Sequence, residues 1–307
     1  MQQKLSTREE YSKRINDVIE YINNHLSEEM SLDTLAGISN FSTYHFHRIM
    51  RAVLGEPVGA FITRMRVETA ARLLRYSDTP IQEIAYKVGY DVPSSLSKAF
   101  KTFYGISPND YRNNKTYSIM KPIQINPDLK LEQRIVDLQA TQVIYIHLQG
   151  DYNNNDYGLA WSKLWGHIHS LGLFTEQMGQ MSNNTPKSNV LQKMYDELGI
   201  KHICIYHDDP KVTEGDKQRT DVCMSINAKM EPKGEIGAKE IEGGKYVAFL
   251  YKGPYNNLGS VYDTIYGKAI FEFKRQLASR PGFEIYLNDP ECTKPEELMT
   301  EIYVPIE

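Results

Sequence analysis

The sequence predicts two domains: an all-α N-terminal domain with two helix-turn-helix motifs, and a duplicated, pseudo-two-fold α+β C-terminal domain. Three observations carry this reading. The chain has 307 residues, more than the roughly 150 that one domain usually takes. Apolar residues recur every three or four positions as far as about Arg112, then alternate. Each half also repeats itself, and the two repeats differ in kind. The expected divisions are 1–114 for the helical domain, 115–128 for a linker and 129–307 for the second domain.

In the first domain Thr7 and Glu10 have capping-box spacing, and Tyr11, Ile15, Val18, Ile22 and Leu26 follow on one helical face. Ser31 caps a short helix with Leu35 and Ala36, Asn40 suits a tight turn, and Ser42 caps a helix to about Val53. Pro57 opens a long helix carrying Phe61, Met65, Val67, Ala70, Ala71 and Leu74 on its apolar side. A short helix with Ile84 and Ala85 stops at Gly89, and another runs from Ser94 to Phe103. Asn113, Asn114, Pro122 and Pro127 break the periodicity and mark the linker.

Beyond the linker, Lys130–Leu138 and Gln142–Gln149 read as strands, followed by a helix over Leu159–Leu171. Further strands are expected around Ile203, Val222, Val247, Ile285 and Ile302, with a second helix over Leu258–Gln276. The polar stretch Gln177–Ser188 interrupts only the first copy and reads as a mobile surface insertion.

Composition narrows the function classes. Hydrophobic residues make up 41% and charged residues 24%, as in an ordinary globular protein. No apolar run approaches the roughly 20 residues of a membrane span. The start is polar, without a secretory leader, and Cys204, Cys223 and Cys292 have no CxxC spacing. A cytoplasmic protein with no membrane partner, no structural metal and no cofactor is expected. Residues 1–116 carry 15 Lys+Arg against 13 Asp+Glu, whereas the remainder carries 20 against 26, so the halves suit different partners.

The helical repeat pairs Phe46–Met50 and Leu54-Gly55 with Leu96–Phe100 and Tyr104-Gly105. Each copy is a short helix, a turn residue, and an amphipathic helix with a basic outer side chain, the signature of a helix-turn-helix. Ser31 to Arg112 resembles the AraC/XylS-type DNA-binding domain almost throughout. The match includes Leu35-Ala36, Ser42, Phe46 and Arg48, Arg66 with Ala70, Ala71 and Leu74, Ile81 through Tyr90, and the closing Gly105-Ile106-Ser107-Pro108 with Tyr111-Arg112. The resemblance implies sequence-specific binding of double-stranded DNA by Thr43, Tyr44, His47 and Arg48 in the first motif. In the second, Ser94, Ser95, Ser97 and Lys98 hold the matching positions. Arg48 can read guanine bidentately or clamp a phosphate. Pro93 and the short hydroxyls depart from the family pattern, so the second motif is expected to position more than it specifies. His45 is left between a base contact and an internal hydrogen bond.

The second repeat pairs Val143–Tyr152 with Tyr246–Tyr255, and Ile203–Pro210 with Phe283–Pro290. The unit is strand, Gly-x-Tyr turn, helix, two strands. Leu129 to Ile306 resembles the GyrI-like effector-binding domain, most specifically over Phe283–Pro290 and Thr300–Pro305. The copies differ where Glu284 aligns with Cys204. A carboxylate inside an apolar strand must be paired, protonated or waiting for a cation. The resemblance implies the last: a small, apolar, cationic effector of the multidrug kind. Tyr286 shares the face of Glu284 by strand alternation. Tyr145, Tyr206, Tyr251, Tyr255 and Trp165 are the other candidates for cation–π and stacking contacts. A buried salt bridge is the competing account for Glu284, and core packing for the aromatics, Trp161 and Trp165 included.

Together the resemblances imply a transcriptional regulator, an activator with RNA polymerase as a further partner, rather than an enzyme. Two alternatives stay open at this stage. Glu284 could serve as general base of a small-molecule hydrolase, or the domain could be a protein-contact module. His207 with Asp208 and Asp209 looks metal-like, but the copy at Asn288-Asp289 favours turn chemistry.

Overall fold

The computed structural model describes residues 7–113, 125–170, 199–225, 232–267, 269, 277–278 and 280–307. Most of the expected linker and all of the Gln177–Ser188 insertion lie outside these residues. Two compact units divide the chain, one of Met1–Pro122 with Asp208–Thr213, the other of Ile123–His207 with Glu214–Glu307. Sequence reading placed Asp208–Thr213 with the second domain. Val212 is nonetheless buried in a core cluster of the helical unit, and Tyr104 donates to its carbonyl at 3.2 Å.

The helical unit contains α1 (Thr7–Asn24), α2 (Leu32–Ile38), α3 (Thr43–Leu54), α4 (Val58–Tyr76), α5 (Ile81–Lys87), α6 (Pro93–Tyr104) and α7 (Pro108–Asn113). Ser31 Oγ accepts from Thr34 N at 3.1 Å and Ser42 Oγ from His45 N at 3.4 Å, the two caps the sequence signals. Both α3 and α6 end at a left-handed glycine, Gly55 (φ 72°) and Gly105 (φ 77°), where a Cβ would be strained.

The long helix α4 serves two cores. Its first half gives Val58, Phe61, Ile62 and Met65 to a cluster with α1, α2 and α3. Its second half gives Val67, Ala70, Ala71 and Leu74 to a cluster with α5, α6 and α7. Arg66 lies between them, donating to Leu26 O at 3.0 Å and Glu28 O at 2.6 Å, with its guanidinium 5.8 Å from the Tyr90 ring centroid. Gly89 has no room for a side chain, since a Cβ would lie 2.3 Å from Leu26 O and 2.9 Å from Arg66 Cζ.

The second unit is an eight-stranded antiparallel sheet of β1 (Glu132–Leu138), β2 (Thr141–Gln149), β3 (Lys201–Tyr206), β4 (Arg219–Ser225), β5 (Gly237–Ile241), β6 (Gly244–Lys252), β7 (Phe283–Tyr286) and β8 (Met299–Pro305). Helix α8 (Tyr157–Ser170) follows β2 and α9 (Leu258–Gly267) follows β6. The order β1-β6-β8-β7-β3-β4-β2-β5 reads as two equal halves meeting at the β7–β3 pair, which is the duplication in space. The Asp-Pro copies are equal turns, with Asp209 Oδ1 accepting from Lys211 N and Asp289 Oδ1 from Glu291 N, each at 2.8 Å.

One sheet face takes α8 and α9, each over its own apolar cluster. The other buries Tyr145, Cys223, Tyr246, Phe283 and Tyr303, with Val136 from one edge strand and Ile241 from the opposite one. A single cluster reaching both edges requires a strongly curved sheet. The connections β1–β2 and β5–β6 meet at that closure, where a Cβ on Gly243 would lie 2.7 Å from Leu138 O.

Candidate functional site

Glu284 sits where the two halves of the sheet join. It pairs in register with Cys204 on one side and Ile302 on the other, members of the α8 and α9 clusters respectively. The carboxylate is 1% exposed. Tyr286 Oη donates to its Oε2 at 2.7 Å, and Tyr262 on α9 supplies a second hydrogen bond. No arginine, lysine or histidine pairs with it among the described residues, so the salt bridge that competed with ligand binding is not what the geometry shows. Burial raises its pKa from 4.5 to about 7, with the two tyrosine hydrogen bonds pulling the other way.

Aromatic rings wall the carboxylate. Tyr206 and Tyr286 hydroxyls lie 3.2 Å apart, Tyr255 stands edge-on to Tyr286 at 5.3 Å between centroids, and Trp161 does the same from α8 at 6.4 Å. These rings are only partly buried, whereas Glu284 beneath them is closed off. Burial lifts the tyrosine hydroxyls, Tyr255 to about 12, and the charge of Glu284 adds to it. They therefore act as neutral donors and π-faces at physiological pH. A buried anion under partly exposed aromatic rings can accept a desolvated organic cation, by charge below and cation–π contact at the sides.

Of the sequence candidates, the structure brings Tyr286, Tyr206 and Tyr255 to Glu284. Tyr251 is on the same face but buried in the α9 cluster, its hydroxyl donating to Pro254 O at 3.3 Å. Trp165 packs on His202 and His169, at 5.5 and 6.0 Å, one helical turn along from Trp161. Tyr145 lies on the opposite face, 4.6 Å below Lys239 Nζ, and cannot reach the carboxylate. Sequence reading missed Tyr262 and set Trp161 aside as core. The signal for Tyr262 was present: it stands nine residues past Gly253, as Leu159 stands nine past Gly150, so the copies differ there as well. Among the described residues no group of three His, Cys, Asp or Glu could hold a metal ion.

The two recognition helices have equivalent burial. Phe46 and Met50 of α3, and Leu96 and Phe100 of α6, are all fully buried. That leaves Thr43, His47 and Arg48 exposed on α3, and Ser94, Ser95 and Lys98 on α6, while Ser97 is half-buried. Tyr44 belongs to α3. Thr43 Oγ1 is committed to Asp33 Oδ1 at 2.8 Å and Ser97 Oγ to Pro93 O at 3.1 Å, so these hydroxyls brace their motifs. Arg51 and Lys101, one turn further on the same exposed sides, were not singled out from sequence.

Comparison with known proteins gives a family for each domain. Residues 131–307 match a family described as a GyrI-like small molecule binding domain, and residues 35–114 match a helix-turn-helix domain family. The chain is 24% identical to transcriptional regulator Rob of Salmonella typhimurium, over 95% of this chain and 97% of that protein. It is 34% identical to the HTH-type transcriptional activator AarP of Providencia stuartii, over 34% of this chain and 78% of that one. Among solved structures, the EcmrR C-terminal domain is 21% identical over 58% of this chain and 99% of that one, with a TM-score of 0.39.

Proposed function

Since the chain belongs to the GyrI-like small-molecule-binding family and joins that domain to an AraC-type helix-turn-helix domain, we infer that it couples occupancy of the Glu284 basin to transcription. It is a DNA-binding transcriptional regulator with a small-molecule-binding domain. The effector we assign is an apolar organic cation, held by Glu284 with Tyr286, Tyr206, Tyr255, Tyr262 and Trp161. The single observation behind this is a fully buried carboxylate whose described partners are all tyrosine hydroxyls. An isolated buried charge carries a heavy desolvation cost, which a ligand cation offsets.

On DNA, Arg48 with Tyr44 and His47 forms the specifying contact, and Lys98 with Ser94 and Ser95 the positioning one. Arg51 and Lys101 extend each set along the phosphates. Activation brings RNA polymerase in as a partner, and the work is done in the cytoplasm. Among the described residues no helix is long and apolar enough to cross a membrane. The effector acts only as far as it binds the active arrangement better than the inactive one. Rob is named as a transcriptional regulator and AarP as a transcriptional activator, so hydrolysis with Glu284 as general base is not part of this reading.

The test is a titration of the full chain with a cationic dye and with a neutral dye of the same shape. Glu284→Gln should weaken the cation by at least tenfold, about 1.4 kcal/mol, and leave the neutral dye within about twofold. Equal losses for both dyes would remove the charge from the reading.

A further inference from the structure

The copies diverge a second time, on the sheet face away from Glu284. Asp221 of β4 is 1% exposed and receives donors from three other segments. His147 Nδ1 on β2 donates at 2.7 Å, His207 Nε2 just past β3 at 2.6 Å, and Lys239 Nζ on β5 bonds the same oxygen as His207. Side chains of His207 and Lys239 are each 7% exposed, and that of His147 is 16% exposed. The twin acid, Glu301 on β8, takes Arg134 from edge strand β1 and Tyr303 Oη, both at 2.5 Å. Where the first half has His147 and His207, the second has Leu250 and Leu287. Each half thus ties an edge strand to a central acid with one cation. Only the first half adds imidazoles.

Strand β5 depends on this tie. It has five residues, and β2 is its only partner strand among the described residues. Lys239 is its inward anchor, lying over the Tyr145 ring, and Gly237 admits that ring, since a Cβ there would lie 2.5 Å from Tyr145 Cε1. With His207 neutral, the charges of Asp221 and Lys239 cancel, and the ring N–H groups of His147 and His207 each fill a carboxylate lone pair. A proton on His207 adds a positive charge close to Lys239. Arg219, buried on the same strand as Asp221, also disfavours that proton.

We propose that His147, Asp221, His207 and Lys239 form a proton-operated latch, which holds edge strand β5 closed at neutral pH and releases it in mild acid. The electrostatics have the required sign. Burial lowers the pKa of His207 from 6.5, Lys239 and Arg219 lower it further, and Asp221 opposes them only in part. Burial would raise Asp221, but Lys239 and the histidines hold it well below the ordinary carboxylate range, so it stays ionised in mild acid. An opened His207 takes its proton near 6.5 and a closed one only at lower pH. Opening is therefore favoured by up to about tenfold for each pH unit below that value.

The experiment is hydrogen exchange on the full chain at pH 7.5 and 5.5, corrected for intrinsic exchange rates. Amides of Gly237–Ile241 should open more at the lower pH, by up to about tenfold, while those of Glu132–Leu138 in the twin edge strand should not. His207→Gln keeps a donor of similar reach without the titration, and should remove most of the rise. Equal protection of β5 at both pH values would overturn the latch, as would an undiminished rise in the variant. If a variant fails to fold, the contrast of β5 with β1 in the unaltered chain still decides.

Discussion

Both domains are built by duplication, but their copies diverge in opposite places. The helix-turn-helix copies keep their interiors alike, with Phe46 and Met50 buried as Leu96 and Phe100 are. Their differences lie outside, where α3 carries His47 and Arg48 and α6 carries Ser94, Ser95 and Lys98. The GyrI-like copies diverge within. Cys204 becomes Glu284, Leu159 becomes Tyr262, and His147 and His207 become Leu250 and Leu287. A domain that reads a polymer specialises its surface, and one that encloses a small ligand or a proton specialises its core. In our proposal, the point of divergence between copies is where the partner meets the protein.

The comparison breaks first if the buried halves of the helical copies are not equivalent. Phe46→Ala and Phe100→Ala should each cost about 3–5 kcal/mol, read by urea unfolding followed by circular dichroism. A small cost for one of them would mean that its motif is not packed as its twin is.

In the other domain the buried difference should act with the opposite sign. Glu284 has its pKa raised from 4.5 to about 7, so the folded state holds a proton there that the unfolded state has lost. Its contribution is fully present below 4.5 and is lost as pH rises through 7. Glu284→Gln should accordingly stabilise the domain at pH 8 by up to about 3 kcal/mol and change little at pH 4. Destabilisation at pH 8 would reveal a cation partner for the carboxylate.

The exposed differences should be smaller. Arg48→Ala should weaken DNA binding by about 1–3 kcal/mol and relax preference at one base position, seen by binding to single-base operator variants. Ser95→Ala should cost less than about 1 kcal/mol, equally across those variants. If the two substitutions lost the same preference, the helices would be equal readers.

Much of this was legible in the sequence. The caps Ser31 and Ser42, the turn residues Asn40 and Gly89 and the α4 stripe follow from local rules. Alternation alone put Glu284 and Tyr286 on one face. Strand β5 escaped because Gly-Ala-Lys-Glu-Ile shows no clear apolar alternation, its inward positions being a glycine, a lysine and Ile241. Tyr145 stands among the sequence candidates although it lies on the other face, because alternation orders residues within a strand, while relating two strands needs their register. Tyr145 pairs with Cys223, whereas Glu284 pairs with Cys204, which pairs with Val222 and so with Ile146. The latch around Asp221 draws on four segments that only the folded sheet brings together.

We propose that the buried carboxylate of Glu284 exchanges its proton for an organic cation. Dye affinity measured from pH 6 to pH 8 decides this. A cationic dye should bind several-fold more tightly as pH rises through about 7, a neutral dye should not, and Glu284→Gln should flatten the dependence. A cation whose affinity is the same at both ends, or rises equally in the variant, would contradict it.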